Sequence, residues 1–148
     1  MSVRAQAVRW LSRRDYTTAE IRAKLVEQEF DPAEVDAAIS ALIQEGLLND
    51  QRVASAHART ASQIKHRGRL RVRRELEACG IDRALVAQVL AELPDADEAA
   101  AIEKFLLRKR LPQTLDPAAR RRLFGQLLRR GFSVDAISRA LRRHGPDE

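Results

Sequence analysis

One apolar frame recurs along this chain at an interval of 51 residues, and no other feature constrains the fold as tightly. Phe30, Ile81 and Phe132 are 51 residues apart, and each precedes a residue able to cap a helix: Asp31, Asp82 and Ser133. Five positions upstream stand Leu25, Leu76 and Leu127; nine upstream, Ile21, Val72 and Leu123; five downstream, Val35, Val86 and Ile137. Apolar residues four apart share a helix face, so each block predicts a helix, a tight turn and a second helix, with the apolar turn residue pinning the pair. Gly80 and Gly131 precede the turn residue, where a left-handed helix terminus is cheapest for glycine; the first block has Glu29 there.

Each pair is preceded by one more helical stretch: Val3 to Arg13, about Asp50 to Ile64, and about Asp97 to Arg110. In the first, Val8 and Leu11 are expected on the inner face with Trp10 on its flank. Thr17-Thr18-Ala19-Glu20 reads as a capping box. Asp31-Pro32-Ala33-Glu34 reads as a strong start, with Asp31 capping, Pro32 in the first helical position and Glu34 complementing the helix dipole. That helix turns Val35, Ile39 and Leu42 inward and stops near Gly46. The third block has the longest internal connection, Leu111-Pro112-Gln113-Thr114-Leu115, before an Asp116-Pro117 start, and Gly145 to Glu148 is expected to fray. The expectation is an all-α chain of three tandem three-helix repeats, 1–48, 49–94 and 95–148, which bury apolar surface against their neighbours and form an elongated, curved array.

No uninterrupted apolar stretch approaches the roughly 18 residues of a membrane span, and the N-terminus enters a charged amphipathic pattern without a signal core. Cys79 is the one cysteine among 148 residues, which excludes an intramolecular disulfide framework; a reducing, cytoplasmic setting is expected. Catalysis would need a nucleophile, a base, a metal or a cofactor cradle. His57, His66 and His144 lie on separate elements without metal-ligand spacing, so exposed or locally bonded imidazoles are expected. Cys79 follows Leu76 by three residues, which reads as an inert thiol on the inward helix face. The isolated glycines build no phosphate loop. The expectation is a protein that is not an enzyme and takes no cofactor or metal.

Charge is the stronger functional signal. Of the 27 basic side chains only four are lysines, leaving 23 arginines suited to planar pairing with carboxylate or phosphate. Residues 1–48 carry 6 basic and 8 acidic groups, residues 49–93 carry 9 and 5, and residues 94–148 carry 12 and 8, so the net +6 is made of −2 on the first block and +4 on each of the last two. With Val72 and Leu76 inward, Arg67, Arg71 and Arg74 are predicted to form an outward stripe at i, i+4, i+7 spacing. Arg120, Arg121 and Arg122, then Arg129 and Arg130, repeat the theme in the third block, as do Arg139, Arg142 and Arg143. Solubilising arginines whose stems cover apolar edges would account for about half of these cations; the clustering leaves an anionic partner for the rest. With aromatics only 4% of the chain, base-stacking platforms are disfavoured. A helix-turn-helix reader of duplex DNA is the rival, but the second helices begin Asp31-Pro32, Asp82-Arg83 and Ser133-Val134-Asp135, acidic where a reader meets phosphate and base.

The stretch Ala7-Val8-Arg9-Trp10-Leu11-Ser12-Arg13-Arg14-Asp15-Tyr16-Thr17, continuing to Glu20-Ile21-Arg22-Ala23-Lys24-Leu25, resembles the opening of the RecX family, bacterial regulators of the RecA recombinase. So do Glu45-Gly46-Leu47-Leu48-Asn49-Asp50-Gln51-Arg52-Val53-Ala54, the stretch from Gly68 to Gly80, and Leu128-Arg129-Arg130-Gly131-Phe132-Ser133. Val53, where a larger aromatic is common, and Glu29, where glycine often stands, depart from the pattern. The resemblance implies a three-repeat, all-helical, non-enzymatic protein that binds RecA and the RecA–DNA filament; a monomer is expected. Such a protein would lie in the filament groove or block its growing end, restrain recombinase, ATPase and co-protease activities, and so modulate DNA repair and the SOS response. Arg67, Arg71, Arg74, Arg120, Arg121, Arg122, Arg129 and Arg130 are the candidate contacts to RecA or DNA phosphate. The alternative is a basic all-helical DNA-binding protein that acts without RecA.

Overall fold

The computed structural model describes residues 1–112 and 114–144, and every regular element within them is helical. Gln113 and the expected fraying of Gly145 to Glu148 lie outside the described residues. The elements are α1 (Val3–Leu11), α2 (Thr18–Glu27), α3 (Pro32–Gln44), α4 (Asp50–Arg59) running into a π-helical turn (Thr60–Ile64), α5 (Arg69–Ala78), α6 (Arg83–Glu92), α7 (Asp95–Arg108), α8 (Pro117–Arg129) and α9 (Val134–Arg143).

Local chemistry sets most of the starts. The capping box at α2 is complete: Glu20 N–H donates to Thr17 Oγ1 at 3.1 Å, and Thr17 N–H donates back to Glu20 Oε1 at 2.9 Å. Asp116 accepts from Ala119 N–H at 2.7 Å with Pro117 in the first turn of α8, and Ser133 accepts from Ala136 N–H at 3.3 Å. Asp31 and Asp82, both expected to cap, make no side-chain cap bond. Their backbones, at φ −59°, ψ 128° and φ −57°, ψ 139°, depart from the φ −72° to −75°, ψ 149° to 163° of the capping residues Thr17, Asp116 and Ser133, and Pro32 alone presets the α3 start.

The apolar frame packs as three separate clusters. One gathers Ile21, Leu25, Val35, Ile39 and Leu42 with Val3 and Ala7 of α1. The second gathers Val72, Leu76, Ile81 and Val86 over the small face of α4, Ala54 and Ala58. The third gathers Leu123, Leu127, Phe132 and Ile137 with Ile102 and Leu106 of α7. The frame positions are all buried except Phe30, which is half-buried at the edge of the first cluster. The expected inner face of α1 is corrected: Val3 and Ala7 are buried, Trp10 and Leu11 are half-buried, and Val8 is 36% exposed. The stripe that starts at Val3 recurs at 7 and 10–11, which turns position 8 outward.

Successive helix trios are joined by one contact used twice. Gly80, at φ +82°, lies so close to Ala19 that a Cβ on it would stand 2.4 Å from the alanine Cβ. Gly131, at φ +90°, lies against Arg71, and a Cβ there would stand 2.5 Å from both the Cβ and the backbone N of Arg71. Ala19 and Arg71 are one step apart in the 51-residue frame and both stand in the first turn of a middle helix, so in each case the start of one trio's middle helix docks on the turn that ends the next trio's middle helix. Thr17 Oγ1 donates to the Cys79 carbonyl at 2.6 Å across the first junction, and Leu70 N–H donates to the Gly131 carbonyl at 2.9 Å across the second.

Glu29 holds the same left-handed conformation, φ +62°, at the turn of the first trio. Replacing it with glycine removes the steric cost of that φ, and Glu29→Gly should raise stability by about 1 kcal/mol. A shift of the urea midpoint to higher concentration checks this; an unchanged or lower midpoint refutes it.

Candidate partner-binding surface

The predicted stripe on the second block is dismantled by its own surroundings. Arg67 precedes α5 rather than lying on it, because the π-helical turn carries the chain round so that Arg67 N–H donates to the Ala61 carbonyl at 2.9 Å. Helical spacing therefore does not relate Arg67 to Arg71 and Arg74. Arg67 Nη1 donates to Glu75 Oε2 at 2.6 Å, and Arg71 Nε stands 3.5 Å from Glu75 Oε1. His57 Nε2 is 3.0 Å from the same carboxylate. Glu75 thus gathers two of the three cations into a half-buried network that ties α4 to α5, and Arg74 is left exposed without an ion pair among the described residues.

The third-block candidates also divide. Arg120 is half-buried and donates to the Leu141 carbonyl at 3.2 Å, which ties α8 to the end of α9. Arg130 lies over the Phe105 ring at 4.6 Å, with Lys109 over the same ring at 5.1 Å. Arg121, Arg122 and Arg129 are exposed and form no ion pair among the described residues. Arg122 and Arg129, seven residues apart, share the outer face of α8. Arg121 joins Arg120, Phe124, Ser138, Leu141 and Arg142 around a shallow depression of about 320 Å³. Of the eight candidates, Arg74 on α5 and Arg121, Arg122 and Arg129 on α8 are therefore the ones whose charge can meet a partner without first breaking a contact among the described residues.

Sequence reasoning missed the junction between α5, α7 and α9. Glu98 is 4% exposed, accepts from the Ser133 N–H at 2.5 Å, and holds its other oxygen 3.6 Å from Arg69 Nε. Arg69 Nη2 donates to the Leu93 carbonyl at 2.6 Å and to Asp95 Oδ1 at 2.9 Å. A signal existed: Glu98 falls on the inward stripe of α7 that continues through Ala101, Ile102 and Leu106, where a carboxylate needs partners.

The three histidines are bonded, but across the fold rather than locally: besides His57 with Glu75, His66 Nε2 stands 3.1 Å from Lys104 Nζ and His144 Nε2 stands 2.8 Å from Glu103 Oε2. Among the described residues no group of three or more His, Cys, Asp or Glu side chains is placed to hold a metal ion. Cys79, expected on an inward helix face, instead ends α5, half-buried at the first junction. Burial raises its thiol above the ordinary value, and the Glu20 carboxylate adds to this against the opposing Arg14, which favours the protonated form. No helix among the described residues is long and apolar enough to cross a membrane.

Comparison with known proteins places this arrangement. Two family profiles match, "RecX, first three-helix domain" over residues 4–42 and "RecX, second three-helix domain" over residues 49–90. The regulatory protein RecX of Trichlorobacter lovleyi is 37% identical over 138 residues, covering 88% of this chain and 88% of that one. That of Halorhodospira halophila is 32% identical over 141 residues, covering 94% and 86%. The crystal structure of RecX from Lactobacillus salivarius superposes with a TM-score of 0.85 at 23% identity, covering 95% of this chain and 93% of that one, which shows the same all-helical fold. Matched by both profiles and by relatives along most of its length, the chain belongs to the RecX family of regulatory proteins.

Proposed function

We propose that the chain is a non-enzymatic, cytoplasmic monomer that binds RecA and the RecA–DNA filament, and that it restrains recombinase, ATPase and co-protease activity by lying in the filament groove or blocking filament extension. Through that restraint it modulates DNA repair and the SOS response. Three blocks, 1–48, 49–94 and 95–148, form an extended body that reaches more than one subunit of a helical polymer, and several weak contacts then sum to useful avidity. The observation that carries the reading, beside the family itself, is the set of open arginines on α8, Arg121, Arg122 and Arg129, which no carboxylate among the described residues takes up. Arg74 extends the set to the second block. Arg67, Arg71 and Arg120 support the surface from within, and Arg130 contributes through its seat on Phe105.

The test is the ATPase rate of preformed RecA filaments with the chain added. Wild type should slow turnover, and Arg121→Glu/Arg122→Glu/Arg129→Glu should raise the concentration needed by roughly tenfold or more with helical content unchanged. Inhibition that is indifferent to the triple reversal would sink the assignment. The same open cations could serve a DNA-binding protein that acts without RecA. Binding to bare DNA would then fall steeply as salt is raised and take no account of RecA.

A further inference from the structure

Where α7 and α9 meet the start of α5 lies a groove of about 420 Å³, within the range of roughly 300–1,000 Å³ that holds small ligands and short peptide segments. Its floor is small and apolar, Ala96, Ala99 and Ala136. At one end Asp95 and Glu98 are engaged by Arg69. At the other stand Arg139, Arg142 and Arg143. Arg139 and Arg142 are exposed, and among the described residues each gives only its Nε to a carbonyl of its own helix, Asp135 at 3.3 Å and Ser138 at 3.2 Å. Arg143 stands 3.8 Å from Glu103, which also receives His144. The groove therefore has surplus positive charge at the α9 end and a shallow apolar floor of alanine methyl groups.

We infer that this groove takes a short acidic peptide segment of a protein partner, with its carboxylates on the free guanidinium edges of Arg139 and Arg142 and its apolar side chains on the alanine floor. Planar guanidinium forks pair with carboxylates in this geometry. A nucleic-acid strand fits less well, because the floor has no aromatic ring for a base to stack on. This inference rests on the filament reading only for the partner being a protein.

The experiment uses the full chain and a fluorescein-labelled, end-capped octapeptide of alternating Glu and Leu, followed by polarisation. A thymidine oligonucleotide with the same number of negative charges serves as competitor. Arg139→Gln/Arg142→Gln should weaken peptide binding by roughly tenfold. Ala99→Trp, which fills the floor and leaves the charge unchanged, should weaken it to a similar degree, and the oligonucleotide should displace the peptide poorly. Binding that survives the arginine pair, or equal displacement by the oligonucleotide, overturns the inference; because both arginines are exposed, that arm stands even if the tryptophan variant misfolds. A wild-type chain that slows RecA filament turnover but binds the peptide no better than the arginine variant leaves the filament reading standing without the groove. One that binds the peptide through Arg139 and Arg142 yet leaves turnover untouched does the reverse.

Discussion

A chain carrying Gly68→Ala is expected to lose about 2–4 kcal/mol of stability although residue 68 has an ordinary backbone conformation, φ −72°. A Cβ at this position would stand 2.3 Å from the Gly131 carbonyl carbon and from the Phe132 nitrogen, and 2.4 Å from the Gly131 oxygen. All three are backbone atoms, so no side chain can swing aside. The second and third trios must part, and the Leu70–Gly131 hydrogen bond goes with them. Gly46→Ala is the matched control: its φ of +79° carries the left-handed cost of about 1 kcal/mol, but nothing lies within 4 Å of a Cβ there. Urea unfolding followed by helical ellipticity ranks the two, and a Gly68→Ala chain no weaker than Gly46→Ala would show that the junction is not packed as described. Hydrogen exchange should also quicken in α8 and α9 before it does in α1.

Removing the Glu98 carboxylate should be nearly as damaging, at about 3 kcal/mol. Its side chain is 5% exposed, and truncation to alanine strands the Ser133 N–H at the start of α9 and takes away the buried partner of Arg69. Arg69 keeps Asp95 and the Leu93 carbonyl, which holds the loss to the low end of the range for a broken buried pair. Asp95→Ala, at a side chain 81% exposed to water, should cost only about 0.5 kcal/mol. Thermal unfolding of the two variants measures the difference; equal effects would mean that Glu98 is not the member that ties the junction.

Core positions were legible in the sequence because a helix reports its buried face through its own spacing. Ile21 with Leu25, Val72 with Leu76, and Leu123 with Leu127 are four apart whatever surrounds them, and the turn that follows each pair repeats at the same distance. Terminal chemistry was less legible. Thr17, Asp116 and Ser133 cap as their residue types suggest, whereas Asp31 and Asp82 have the same potential but a different backbone angle and leave it unused. The candidate surface was the least legible part. Arg67 lies outside the helix its spacing assumed, and a count of arginines cannot tell that Glu75 takes up Arg67 and Arg71 while Arg122 and Arg129 stay open.

The sequence by itself determined an all-helical chain, a repeating helix–turn–helix frame with its inward positions, and a basic excess toward the C-terminal side, because periodicity and charge are local or additive properties. How one trio meets the next, and which cations stay open among the described residues, came from packing alone. Glu29 and Gly131 occupy equivalent left-handed turns, and the difference between them, a neighbouring helix 2.5 Å from where a Cβ would be, depends on residues far away in the chain. Whether an arginine serves the fold or a partner is likewise set by the carboxylate or carbonyl that the packed neighbour brings within hydrogen-bond reach, which no spacing along one helix encodes.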